Sequence, residues 1–188
     1  MNMKRKDYFN IPNMMGYFRI IMIPVFITLY LRADSVREYY LALGALCLSL
    51  ITDFFDGKIA RHFDMITPFG KILDPVADKL TQFAIIFVLL FQHTLMLPFM
   101  ILFVIKELYM GLMGLYLLKK EIVYGAKWYG KACTMIVDLG CVLLLLLPEM
   151  KQLYANMAIW VLIIFALFSL GMYIRFHISL LSHKVSSH

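Results

Sequence analysis

Leu41-Ala-Leu-Gly-Ala-Leu-Cys-Leu-Ser-Leu-Ile51 runs directly into Thr52-Asp53-Phe-Phe-Asp56-Gly57-Lys58-Ile-Ala60-Arg61. The apolar part covers only about 17 Å at the helical rise, short of a membrane span. Nothing before His62 breaks a helix except Gly57, so the helix is expected to continue to about residue 62. Its acidic end must then lie at a lipid–water boundary. This reading requires a membrane, and the whole chain agrees. Of its 188 residues, 62% are hydrophobic, against about 45–50% in soluble domains. Apolar runs recur at 16–31, 39–51, 77–92, 95–118, 132–148 and 153–174. The expected fold is an all-α integral membrane protein, one domain over 1–188 with six transmembrane helices. The basic start lacks a small-residue cleavage site, so the first span is read as a retained helix.

Charge placement sets the orientation. With six spans, one side holds Lys4, Arg5, Lys6, Arg19, Lys58, Arg61, Lys71, Lys79, Lys119, Lys120, Lys127, Lys131, Arg175 and Lys184. The other keeps Arg32, Arg37 and Lys151, and Lys106 falls inside the fourth span. The excess puts both termini and the Asp-rich segment in the cytoplasm. It also accounts for the net charge of +6 without nucleic acid. Anionic lipids and phosphorylated substrates are the natural partners. Cys47, Cys133 and Cys141 have no metal-ligand spacing and read as inert buried thiols. Trp128 and Tyr129 read as interfacial belt residues, His62 reads as a solvated interfacial histidine rather than a phosphate contact, and His93, His177, His183 and His188 form no ligand set.

Eight residues beyond Arg61 stands Gly70-Lys-Ile-Leu-Asp74-Pro-Val-Ala-Asp78-Lys79. Thr67 and Pro68 read as the start of this third helix, which Pro75 should kink. On a helix Asp53, Asp56, Gly57 and Ala60 share one face, and Gly70, Asp74 and Asp78 share another. Carboxylates so placed repel one another and are costly beside lipid unless paired or metal-bound. Hard oxygen donors suit Mg²⁺, Mn²⁺ or Ca²⁺. Gly57, Ala60 and Gly70 leave room for a diphosphate, while Arg61 and Lys79 bring positive charge. The chemistry indicated is metal-assisted phosphoryl-group transfer. A cation transporter using the same aspartates, or a non-catalytic membrane scaffold, are the readings of other classes. Transport sites belong near the bilayer midplane, and a scaffold has no need of unpaired interfacial carboxylates.

The pattern D-x-x-D-G-x-x-A-R-x8-G-x3-D-x3-D, met at every fixed position from Asp53 to Asp78, resembles the signature of the CDP-alcohol phosphatidyltransferases. Asn10-Ile-Pro-Asn13 followed by Arg19-Ile-Ile-Met-Ile-Pro24 looks like that family's first span. Thr67 to Lys79 looks most like its phosphatidylglycerophosphate synthase branch. The resemblance implies transfer of a phosphatidyl group from CDP-diacylglycerol to an alcohol with release of CMP, at the cytoplasmic face of the cell membrane. It implies that Asp53, Asp56 and Asp74 hold two divalent cations, Mg²⁺ or Mn²⁺. Asp78 would be the general base and contribute to one metal. Asn13, Gly57, Ala60, Arg61 and Gly70 would contact the CDP-lipid, and the family suggests a homodimer.

The expected acceptor is glycerol 3-phosphate, with Lys106, Lys131, Lys127 and Lys79 as its candidate contacts. That branch usually carries Arg-Glu in span four and G-K-x-K-T before span five. Here stand Lys106-Glu107 and Gly130-Lys131-Ala-Cys133-Thr134. Phosphatidylglycerol, the acceptor of CMP-forming cardiolipin synthases, is therefore the alternative. Lys106 and Glu107 form either a structural pair or part of the acceptor pocket, and an ionisable residue in mid-span favours the pocket.

Overall fold

The computed structural model describes residues 9–65, 67–120, 125 and 127–185, without the side chains of 183–185. Lys4, Arg5, Lys6 and His188, and the side chains of His183 and Lys184, lie outside the described residues. Six helices follow in order: α1 Ile11–Leu31, α2 Val36–His62, α3 Gly70–Leu89, α4 Met96–Lys119, α5 Trp128–Leu146 and α6 Gln152–Val185. No strand occurs among the described residues. The chain forms two compact units, Met1–Val88 and Leu89–His188.

Local chemistry sets the helix starts. The Asn10 side chain accepts from the Asn13 N–H and Pro12 fills the first turn, so α1 begins five residues before its apolar run. Ser35 accepts from the Glu38 N–H at 3.3 Å, and Glu38 reaches back to accept from the Asp34 N–H at 2.8 Å. This reciprocal cap starts α2, whose 27 residues reach His62, the end expected from the sequence. Thr67 Oγ1 accepts from the Gly70 N–H at 3.0 Å, making it the cap of α3. The turn between α2 and α3 places Asp64 in the left-handed region, at φ 52°, which Asp tolerates better than bulky residues do.

Among the described residues, five helices are long and apolar enough to cross a membrane: α1, α2, α4, α5 and the Gln152–Ser182 part of α6. The helix absent from that set is α3, whose first half carries Lys71, Asp74, Asp78 and Lys79. Large apolar side chains face outward throughout; Leu112, Leu139 and Met135 are each more than 60% exposed. Such a surface suits lipid and not water. The protein is a multi-pass membrane protein.

In the first unit, Phe26, Ala42, Leu46 and Leu73 are buried, and α1 packs along α2. In the second, α6 packs against both α4 and α5. A Cβ on Gly140 would stand 2.6 Å from Leu162, so the absent side chain lets α5 and α6 approach closely. Two sequence readings are corrected here. Cys133 and Cys141 are buried, but Cys47 is exposed on α2. Tyr129 is buried at 6% exposure, its ring 4.7 Å from that of Tyr173, while Trp128 beside it is 70% exposed. Arg19, counted with the basic residues of one side, is 2% exposed within the first unit.

Candidate active site

Two helices carry the four aspartates, and a third carries the group that gathers them. Arg19 of α1 donates from Nη1 to Asp53 Oδ1 and, at 2.7 Å, to Asp78 Oδ1. Its Nη2 donates to Asp56 Oδ2 at 2.9 Å and to Asp74 Oδ1 at 3.4 Å. Each terminal nitrogen thus joins one carboxylate of α2 to one of α3. The i, i+3 spacing of Asp53 and Asp56 and the i, i+4 spacing of Asp74 and Asp78 make this possible, since each pair shares a helix face.

The first turns of α1 hold the start of α3 beside this centre. Asn13 is 2% exposed and its amide donates to Thr67 Oγ1 at 3.2 Å. Asn10 donates to the Met65 carbonyl at 2.9 Å. A Cβ on Gly16 would lie 2.7 Å from Leu73, so the missing side chain brings α3 against α1 one turn before Arg19. Asn13 as placed ties α1 to α3.

Exposure divides the cluster. The Asp56 side chain is 4% exposed, whereas Asp53, Asp74 and Asp78 are 43%, 48% and 52% exposed. One carboxylate is fixed inside and three are open to a ligand. One guanidinium against four carboxylates leaves a strongly negative centre, with oxygen donors that suit Mg²⁺ or Mn²⁺. Among the described residues, no three His, Cys, Asp or Glu side chains stand at metal-binding spacing. The carboxylates are spread around the guanidinium.

The small residues beside the cluster differ. A Cβ on Gly57 would meet only Arg61 Nη2, at 3.9 Å, so the space there is open. Arg61 is exposed and its Nε donates to the Gly57 carbonyl at 2.9 Å, laying its charge along that opening. Ala60 is half-buried one turn on. The expectation of open space fails at Gly70, where a Cβ would stand 2.7 Å from Asn13 Oδ1 and 3.2 Å from Thr67 Oγ1. Lys79, also half-buried, donates to Gln82 at 3.0 Å.

The remaining candidate cations belong to the second unit. Lys106 is 7% exposed and its Nζ lies 2.7 Å from Glu107 Oε1. Lys127 Nζ sits 4.2 Å over the Phe176 ring, and Lys131 is exposed on α5. Sequence reasoning did not single out the buried Arg19 and His177. Arg19 carried a usable signal, an ionisable residue inside an apolar run. His177, fully buried with Nδ1 3.1 Å from the Tyr109 hydroxyl, carried none, because the pair joins α4 to α6 across 68 positions.

A family model for CDP-alcohol phosphatidyltransferases matches residues 9–168, so the chain belongs to that family. Among its relatives is the CDP-diacylglycerol–glycerol-3-phosphate 3-phosphatidyltransferase of Escherichia coli strain K12. It is 31% identical over 163 residues, 81% of this chain and 85% of the relative. The Rickettsia bellii protein of the same name is 49% identical over 84 residues, 43% of this chain and 44% of the relative. The match with the Rickettsia typhi protein is 49% over 73 residues, 38% and 39%. The chain thus spans less than half the length of these rickettsial relatives.

Proposed function

We propose that this protein transfers the phosphatidyl group of CDP-diacylglycerol to glycerol 3-phosphate, releasing CMP and forming phosphatidylglycerophosphate. The observation that carries this reading is the convergence of Asp53, Asp56, Asp74 and Asp78 from two helices onto one point. The printed activity of the E. coli and rickettsial relatives supports the choice of acceptor.

In this reading Asp53, Asp56 and Asp74 hold two divalent cations, Mg²⁺ or Mn²⁺. When bound, these neutralise the diphosphate and polarise its reacting phosphorus. Asp78, half-exposed, takes the proton from the acceptor hydroxyl. The hydroxyl oxygen forms its bond to the lipid-side phosphorus, the bond to the CMP oxygen breaks, and CMP leaves. The opening at Gly57 and Ala60 admits the nucleotide diphosphate, with Arg61 contacting phosphate. Lys106, Lys127, Lys131 and Lys79 are the candidate cations for the acceptor's own phosphate.

The distribution of basic residues supports six spans with both termini in the cytoplasm and the aspartates facing it. The same reading places the protein in the plasma membrane. A homodimer is supported by the family resemblance alone. Phosphatidylglycerol is the second acceptor to test, because Cys133 stands where the branch usually has a second lysine of its basic segment.

The test is purified protein with CDP-diacylglycerol, Mg²⁺ or Mn²⁺ and one acceptor at a time, followed by mass identification of the lipid. CMP release with glycerol 3-phosphate and a phosphatidylglycerophosphate product are expected. Product only with phosphatidylglycerol moves the assignment to the second acceptor. No CMP release with glycerol 3-phosphate, phosphatidylglycerol, inositol phosphate or serine removes the transferase reading.

A further inference from the structure

Arg19 is one of the most enclosed side chains in the first unit, 2% exposed, yet it carries a full charge. A buried guanidinium persists only where its charge and donors are met. Among the described residues its pairing comes from the four aspartates, through Nη1 and Nη2. Its Nε is buried and has no acceptor among the described residues. The group is therefore held through its two terminal nitrogens, by the residues that would bind divalent ions. Conversely, four carboxylates drawn to one point repel one another, and Arg19 is the cation the chain itself sets between them.

We propose that Arg19 is the resident counter-cation of this cluster: it holds the four aspartates together in the ion-free protein, and divalent ions load in exchange for its guanidinium. This rests on the divalent-ion reading given above. Each aspartate gives Arg19 one oxygen, and any ion drawing on the same carboxylates competes for their charge. Arg19 is therefore a positioning residue. It stabilises the arrangement before loading and weakens the apparent affinity for ions, as a bound competitor does. A lysine in its place keeps the charge but loses the fork that reaches two carboxylates from each of two nitrogens.

The test uses the full chain in detergent, stripped of ions by chelation, with Mn²⁺ as the probe. Free Mn²⁺ is counted from its paramagnetic resonance signal, and thermal unfolding is followed with and without the ion. Arg19→Gln should lower the ion-free unfolding temperature and tighten Mn²⁺ binding about tenfold, the effect of ~1.4 kcal/mol of lost competition. The unfolding temperature of Arg19→Gln should then gain more from Mn²⁺ than that of wild type. Arg19→Lys should fall between the two in affinity. An Arg19→Gln protein with wild-type ion-free stability, or with Mn²⁺ affinity equal to or below wild type, overturns the proposal. If Arg19→Gln yields no folded protein, Arg19→Lys decides: tighter binding than wild type supports the exchange, and equal or weaker binding overturns it. Wild-type protein that binds no Mn²⁺ removes the divalent-ion reading itself, an outcome distinct from equal binding by wild type and variant.

Discussion

The two units bury charge in opposite ways. In the first, one arginine and four aspartates from three helices share a single centre. In the second, Lys106 pairs with its chain neighbour Glu107, and His177 meets a tyrosine. The first arrangement is crowded with negative charge and half-open, which suits a cation-dependent grip on a diphosphate. The second is cationic and aromatic, with Lys127 over Phe176 and Tyr129 against Tyr173, which suits a smaller anionic partner. In the proposed activity the aspartates act on the donor, while Lys106, Lys127 and Lys131, with Lys79 of the first unit, are the candidate contacts of the acceptor's phosphate, and substitutions should separate the two roles.

The largest effect is expected at Asp78. Asp78→Asn removes the proposed base while keeping size and polarity, so turnover should fall roughly 10²–10⁴-fold. Binding of CDP-diacylglycerol should persist. Asp56→Asn alters the one carboxylate fixed inside the cluster, and should abolish ion-dependent binding of the nucleotide lipid itself. Steady-state kinetics beside equilibrium binding distinguish the two. Wild-type activity in Asp78→Asn would remove its assignment as base.

Lys106→Met comes next. It removes a buried cation worth about 1.5–3 kcal/mol when bonded to a charged partner. The KM for glycerol 3-phosphate should rise about tenfold or more, with the KM for CDP-diacylglycerol unchanged. Equal changes in both constants would erase the division between donor and acceptor residues, and no change in either would leave Lys106 as a structural partner of Glu107.

The same contrast governs what could be read from the sequence. The carboxylate faces were legible because their spacing is local: i, i+3 and i, i+4 pairs follow from helix geometry alone. The extension of α2 to His62 was legible because nothing in Asp53–Arg61 except Gly57 works against a helix. The centre of the cluster was not. Arg19 lies 34 residues before Asp53 and 59 before Asp78, and it entered the sequence reading only through counting charge by side. That rule describes orientation and says nothing of burial. Gly70 escaped for a related reason: a glycine beside carboxylates reads as open space until the neighbouring helix is known. Tyr129 was mistaken for a belt residue because its partner Tyr173 belongs to another helix.

Two glycines sharpen the point within the first unit. Gly70→Ala drives a Cβ to 2.7 Å from Asn13 Oδ1, in the contact that ties α1 to α3. It should cost about 1–3 kcal/mol of stability, read as a lowered unfolding temperature in detergent. Gly57→Ala meets open space, and the helix gains up to about 1 kcal/mol in propensity. Its unfolding temperature should hold or rise, while the KM for CDP-diacylglycerol increases because the opening is narrowed. Equal loss of stability in both variants would mean that Gly57 is a packing residue.

The smallest expected effect separates the units by pH. His93, between α3 and α4, is 4% exposed, and burial pushes its imidazole below the ordinary value of 6.5, with Gln152 offsetting part of that. Between the folded and unfolded values, the unfolded chain takes up a proton that the folded chain refuses. Its contribution to stability is therefore intact above about pH 6.5, declines as pH falls through that value, and levels off below the folded value. His93→Gln keeps a polar side chain but cannot titrate. The difference in unfolding temperature between wild type and His93→Gln should shift against wild type on going from pH 8 to about pH 5.5. All other groups are the same in both proteins and cancel in that difference. A difference independent of pH would show that His93 carries the same proton in both states, and that the second unit does not bury it neutral.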